Sequence, residues 1–239
     1  MIQVAENCLQ LRGRVVHHYA LLENNGITLI DGGFLSNTPA KTAGLLKEAG
    51  RGLSEINQII LTHGHIDHTL HIAELQQLTG AKVFAPLLDR DHIEGRYAYK
   101  GLSRVCGLLE RTARVAFRYE RPVIDQWFAP GDILPFWNGL EVIPLPGHTY
   151  GHAGLYSASQ ELLFAGDLFS NFHYRPKPPP RIFNVETRSI DKSILRADSL
   201  PLSGGVLLSH CHRGTPQDHR NDLKRIALRI RSAATYPIK

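Results

Sequence analysis

The sequence predicts one α/β domain built on two mixed β-sheets. Apolar runs of strand length alternate with stretches of helical periodicity throughout the chain, and no low-complexity linker or short repeat divides it. The 239 residues, 43% of them hydrophobic, are enough for one large domain with a sizeable core. We therefore expect a single domain over residues 1–239, and a mainly disordered chain is excluded.

The first half opens with antiparallel strands. Apolar runs at 15–22 and 27–30 flank Asn25-Gly26, which is a strong hairpin signal. The elements predicted next are a helix over 39–49, a buried strand over 56–61, a helix closed by Gly80 and a strand over 81–84.

A helical insertion is predicted over residues 87–119, because this stretch is longer than a crossover between strands needs. Apolar residues recur in it at the i, i+3, i+4, i+7 spacing of one helix face: Leu102, Val105, Cys106 and Leu109.

Strands return in the second half. They are predicted over 133–136, 141–145, 153–156, 162–165 and 205–209, with helices over 186–200 and from Pro216 onward. Thr215 is the expected N-cap of the last helix. The segment 175–181 carries four prolines, which lack a backbone N–H, so we predict an exposed polyproline-like loop there.

Composition excludes several classes of protein. The net charge of +5 is spread along the chain, so a nucleic-acid partner is not expected. Three cysteines, far apart, supply neither a disulfide framework nor a cysteine-rich zinc module. No export signal or apolar run long enough to span a bilayer is visible, so we expect a cytoplasmic protein without a membrane partner.

The most informative segment follows the strand over 56–61 and reads Thr62-His63-Gly64-His65-Ile66-Asp67-His68. In an extended backbone, residues two apart point the same way, so His63 and His65 can present two imidazoles to one metal ion. Asp67 and His68 begin the next helix and turn elsewhere. A solvated histidine-rich loop is the simpler alternative.

This segment resembles the signature of the metallo-β-lactamase-fold, glyoxalase II-like hydrolases. Four further landmarks of that family follow its order, namely Asp31 after a strand, Pro146-Gly147-His148-Thr149, Phe164-Ala165-Gly166-Asp167 and Val206-Leu207-Leu208-Ser209-His210. The resemblance covers about residues 14 to 214. It implies a four-layered αββα sandwich of two mixed β-sheets, with the site at one edge of the sheets.

The resemblance also implies a dinuclear metal site. One metal ion would be held by His63, His65 and His148, and a second by Asp67, His68 and His210, with Asp167 bridging both. A hydroxide shared by the two ions would be the nucleophile, and Asp67 would also act in catalysis. These ligands suit zinc, while iron and manganese accept them too.

Some positions depart from the family pattern. Ser209-His210-Cys211-His212 offers two histidines for one role, and its position directly after the strand favours His210 over His212. Thr69-Leu70-His71 replaces a common glycine pair, so His71 can face the pocket or the surface. His152 can orient a metal ligand or serve structure alone.

The function these residues favour is hydrolysis of a small-molecule ester, thioester or lactone. The alternatives are a phosphodiesterase or nuclease of the same fold, a persulfide dioxygenase, and a non-catalytic metal-bound sensor. We expect the insertion and the loop over 171–181 to shape the pocket, with Tyr174, Arg175 and Lys177 contacting substrate. The oligomeric state is left open.

Overall fold

The computed structural model describes residues 1–34, 38–97, 99–172, 175–211 and 214–235. The strands of these residues are β1 Ile2–Ala5, β2 Cys8–Leu11, β3 His18–Glu23, β4 Gly26–Ile30, β5 Ile56–Ile60, β6 Lys82–Pro86, β7 Gln126–Phe128, β8 Ile133–Leu134, β9 Leu140–Pro144, β10 Ala153–Ser157, β11 Leu162–Phe164, β12 Ser170–Phe172, β13 Arg175–Lys177 and β14 Gly205–Leu207. The α-helices are α1 Thr38–Glu48, α2 Ile66–Thr69, α3 Ile72–Thr79, α4 Arg90–Ile93, α5 Arg104–Ala116, α6 Thr187–Asp198 and α7 Pro216–Thr235.

Two mixed sheets form the centre of the described part of the chain. The first has the order β1-β2-β3-β4-β5-β6-β7, antiparallel up to β4 and parallel from there on. The second has the order β14-β11-β10-β9-β8, in which only β14 and β11 run parallel. This confirms the predicted fold class.

Three apolar clusters join these sheets to the helices. One lies between the sheets, where Tyr19 and Ile60 of the first meet Leu155 and Phe164 of the second. Another packs the first sheet against α1 and α3, and the third packs the second sheet against α6 and α7. The layers therefore run helix, sheet, sheet, helix, as the αββα prediction requires.

The last helix begins as its sequence indicates. Thr215 Oγ1 accepts a hydrogen bond from the backbone N–H of Asp218, and the Asp218 carboxylate accepts one from the Thr215 N–H. This reciprocal pair satisfies donors at the helix start. No helix among the described residues has both the length and the apolar character needed to cross a bilayer.

The stretch between β6 and β7 is less regular than predicted. Its α-helices among the described residues are the short α4 and the longer α5, and residues 94–97 lie outside both. Of the predicted apolar face only Cys106 is buried, whereas Leu102, Val105 and Leu109 are exposed. The division into one domain with an insertion over 87–119 stays a prediction.

The proline-rich segment is partly a strand, which corrects the polyproline-like prediction. β13 pairs antiparallel with β12, and Pro176 lies opposite Asn171 in this two-stranded ribbon. A proline is tolerated on an edge strand because no further strand needs its missing N–H. The exposed position of Arg175 and Lys177 agrees with the prediction.

Candidate metal centre

Histidine and aspartate side chains meet at the edge where parallel strands of both sheets end. β4 and β5 are parallel neighbours in the first sheet, and β11 and β14 are parallel neighbours in the second. His63 and His65 follow β5, Asp167 follows β11, and His210 follows β14. The carboxyl ends of parallel neighbours share an edge, so both sheets deliver polar residues to one place.

Three buried imidazoles, His63, His65 and His148, form the first cluster. Their ligand atoms lie within 4.8 Å of one another, and His65 Nδ1 is 2.8 Å from His148 Nε2. His63 Nε2 is buried without a hydrogen-bond partner among the described residues. Burial lowers the pKa of His63 and of His65 well below the usual value, which keeps both rings neutral and able to bind a metal ion.

The second cluster combines two carboxylates with two imidazoles. Asp67, His68, Asp167 and His210 offer ligand atoms that also lie within 4.8 Å of one another. Burial opposes a charge on His210, but Asp167 and Asp67 outweigh it and raise the pKa of His210 to about 10. The pKa of His68 is also raised against its burial by neighbouring carboxylates, so this cluster attracts cations.

Asp167 of the second cluster also contacts the first. Its Oδ2 is 3.4 Å from Nε2 of His148 and 3.1 Å from Nε2 of His210. Its Oδ1 is 3.3 Å from Nε2 of His68. One carboxylate therefore contacts imidazoles of both clusters.

His152 holds Asp167 in position. The His152 Nδ1–H donates to the Leu145 carbonyl at 2.9 Å, which leaves Nε2 to accept the backbone N–H of Asp167 at 3.0 Å. At Gly166, φ is +53° and an added Cβ would lie 2.7 Å from His152 Nε2, so glycine is needed for this approach. Of the two roles open to His152, orientation of a clustered side chain is the one its geometry fits.

Outer hydrogen bonds also orient the clustered rings. The Nδ1–H of His148 donates to Asn184 Oδ1 at 3.2 Å, and that of His210 donates to the Val15 carbonyl at 3.1 Å. His68 Nδ1 lies 2.9 Å from Asp31 Oδ2. Each contact turns Nε2 of its ring toward the centre, the arrangement usual for metal-bound histidine.

Asp89 is a residue that sequence reasoning missed. It is fully buried, and its carboxylate accepts the backbone N–H of Gly64 at 2.8 Å, the Thr149 hydroxyl at 2.6 Å and the N–H of Gly151 at 2.6 Å. Burial raises its pKa to about 6. Asp89 thus joins the loop of the first two histidines to the loop of His148. No local pattern marks it, since its partners lie 25 to 62 positions away.

Glu110 of α5 is a second missed residue. Its Oε1 accepts the backbone N–H of Ile66 at 3.0 Å, and its Oε2 accepts the Tyr99 hydroxyl at 2.6 Å. With Cys106 and His65 it forms a further group of potential ligands. An acid one helical turn after Cys106, on the predicted apolar face, was the available signal.

A cavity of about 520 Å³ opens above the two clusters. Its floor is the polar end, which is lined by His65, Asp67, His148, Asp167 and His210. The remaining wall is mainly apolar and comes from α5, from β12, from the segment after β13, and from Val15 and Phe34. This agrees with the expectation that the insertion and the loop after Asp167 shape a pocket.

All seven residues predicted as metal ligands lie in the two clusters, and whether they bind metal stays a prediction. Arg175 and Lys177 are exposed and are absent from the described wall of the cavity, and their substrate contacts stay a prediction. Tyr174 and His212 lie outside the described residues. His71 lies 3.5 Å from Glu74 of α3, away from both clusters.

Comparison with known proteins finds relatives of this chain. The sequence model of the Metallo-beta-lactamase superfamily matches residues 12–203. A probable metallo-hydrolase of Bacillus subtilis (strain 168) is 26% identical over 88% of this chain and 84% of its own. A hydroxyacylglutathione hydrolase of Rhodobacter capsulatus is 30% identical over 65% of this chain, which spans about half (48%) of that relative.

Solved structures share the fold. A metallo-beta-lactamase family protein from Thermus thermophilus superposes with a TM-score of 0.76 and 20% identity, covering 98% of this chain and 82% of its own. A subclass B3 metallo-beta-lactamase of Bradyrhizobium japonicum gives a TM-score of 0.68 at 17% identity, over 98% and 91%. The family match over most of the chain shows that the protein belongs to the metallo-beta-lactamase superfamily, and its hydrolase relatives support a metal-dependent hydrolase.

Proposed function

We propose that the protein is a dinuclear hydrolase that cleaves a small carboxylic ester, thioester or lactone. His63, His65 and His148 would hold one divalent ion, and Asp67, His68 and His210 the other, with Asp167 shared. The observation that carries this proposal is the contact of Asp167 with imidazoles of both clusters. Zinc is the expected metal, with iron and manganese as the alternatives that these ligands also accept.

The donor set fits two divalent ions. Three imidazoles stand beside a set with two carboxylates, and the buried atoms His63 Nε2 and His65 Nε2 lack hydrogen-bond partners among the described residues. Such atoms are costly to bury unless something binds them. When bound, two such ions would lower the pKa of a water between them and polarise the bond being cleaved.

The chain's own residues would orient the reactants. Asp67 is partly exposed at the cavity floor, and its Oδ2 lies 3.2 Å from His210 Nε2. Its carboxylate can accept a hydrogen bond from the attacking water and so hold that water in place. The apolar wall would exclude bulk water from the carbonyl group.

The metal content of the protein and the turnover of an Asp67 variant test the proposal together. Metal-replete protein should hold two ions per chain by elemental analysis, and one tightly held ion would contradict the dinuclear site. Asp67→Asn should lower turnover by orders of magnitude, because a neutral amide is a weaker ligand and a weaker acceptor. Equal rates in the two proteins would remove Asp67 from the mechanism.

A competition assay separates the alternatives. Thioesters and lactones are compared at low salt with single-stranded RNA and a bis-aryl phosphodiester. We expect preference for the acyl substrates, because the described cavity wall contains no lysine or arginine to bind phosphates. Preference for a phosphodiester would instead favour the nuclease alternative, and no turnover on any substrate would favour a sensor.

A further inference from the structure

The wall of the cavity is chemically unlike its floor. Four phenylalanines line it, Phe34, Phe169, Phe172 and Phe183, together with Leu109 of α5. Among the other described lining residues outside the two histidine and aspartate clusters, Ser170 and Glu110 are the polar ones. Both carboxylate oxygens of Glu110 already accept hydrogen bonds from the protein. The described part of the wall therefore offers few free polar groups to a ligand.

We infer that the substrate carries a flexible apolar chain next to its scissile bond, and that this chain lies against the four phenylalanines and Leu109. The inference rests on the proposed function, since the histidine and aspartate clusters mark the end of the cavity where cleavage would occur. A cavity of about 520 Å³ is within the usual range for a site that encloses a small molecule.

Polarity argues against a peptide-like leaving group such as glutathione. That group would bring two carboxylates and two amides, and polar groups buried without partners weaken binding. The described lining residues include no lysine or arginine that could pair with those carboxylates. An apolar chain instead gains affinity from each methylene removed from water.

A substrate series tests the inference. Thioesters of one small thiol with acetyl, butyryl, hexanoyl and octanoyl groups are compared by kcat/KM, below the concentrations at which they aggregate. We expect about a fourfold gain for each added methylene until the cavity is filled. A parallel series of acetyl thioesters with lengthening alkanethiols decides whether the chain belongs to the acyl side or to the leaving group.

A flat response in both series, or preference for lactoylglutathione over every alkyl substrate, would overturn the inference. Calorimetric binding of acetate, butyrate, hexanoate and octanoate keeps it testable without turnover. If nothing is hydrolysed but affinity rises along this series, the proposed function fails while the apolar site stands. If hydrolysis is rapid but insensitive to chain length, only the apolar site fails.

Neighbouring leucines on α5 provide a matched pair. Leu109 lines the cavity, whereas Leu108 does not, although both are exposed. Leu109→Ser should lower the octanoyl-to-acetyl ratio of kcat/KM by about tenfold, and Leu108→Ser should leave it within about twofold. Ala113→Leu places a larger side chain in the same wall and so narrows the cavity, which should shorten the acyl or alkyl chain that is preferred. Equal ratios in all these variants and the parent would contradict the assigned wall.

Discussion

The floor and the wall of the cavity are built in opposite ways. On the floor, buried side chains are held by hydrogen bonds from outside the clusters, as His152 holds Asp167 and Asn184 holds His148. In the wall, Leu109 is 53% exposed and Phe172 is 37% exposed. The comparison indicates that firmly held floor residues can maintain one type of reaction, while exposed wall residues determine which molecules reach them.

The sharpest test of the floor is Asp167→Asn. This change weakens a carboxylate that contacts imidazoles of both clusters, so turnover should fall by more than the roughly hundredfold that loss of an outer hydrogen bond produces. Elemental analysis should show reduced metal content. Asp191→Asn, an exposed acid of α6, serves as the control and should change neither quantity. A variant that retains full metal and turnover would show that the floor does not depend on this bridge.

The next effect tests whether the floor is held from outside. Asp89→Asn weakens the acceptor that joins the Gly64 loop to the loop containing Thr149 and Gly151. We expect metal affinity of the first cluster to fall about 10- to 100-fold, as for other outer partners of metal ligands. Competition with a chelator measures this affinity.

Asp91→Asn is the matched control for that experiment, because Asp91 lies two residues away on α4 and is exposed. Its metal affinity should equal that of the parent. A loss of thermal stability in Asp89→Asn without any change in metal affinity would show that Asp89 supports the fold but not the site.

A similar contrast, between local sequence patterns and contacts of residues far apart in the chain, explains what could be predicted from the sequence. The first histidines lie within six residues, and the other predicted ligands follow strands in the family's order, so local spacing and order marked the floor. Asp89 and Glu110 act through backbone groups 25 to 62 residues away, which no local pattern records. β13 was missed because its pairing with β12 outweighs the local signal of Pro176.

The link between wall and floor is the hydrogen bond from Tyr99 to Glu110, which in turn accepts the N–H of Ile66. Tyr99→Phe should lower the free energy of unfolding by about 1 kcal/mol. Because α5 is then held less firmly, the KM of long-chain substrates should rise a few-fold with kcat little changed.

Tyr119→Phe is the comparison for this effect. It also removes a hydroxyl donor, but this hydroxyl donates to the backbone carbonyl of Ile93 rather than to Glu110. Denaturant unfolding should show a similar loss for the two variants, whereas only Tyr99→Phe should alter KM. The same KM in both would mean that α5 is positioned independently of this hydrogen bond.

The smallest effect is expected at the outer side of the ribbon. Arg175 and Lys177 were predicted from sequence to contact substrate, yet both are exposed and neither is among the described lining residues. Exposed charges separated from a neutral substrate by water interact with it weakly. Arg175→Ala and Lys177→Ala should therefore change KM for an uncharged acyl substrate by less than about twofold, which is within the range of ordinary surface substitutions.

Steady-state kinetics on a neutral and an anionic acyl substrate shows whether Arg175 and Lys177 contact substrate or only face solvent. A rise in KM confined to the anionic substrate would assign these cations to recognition at the cavity mouth, and the wall would then contribute charge as well as apolar surface.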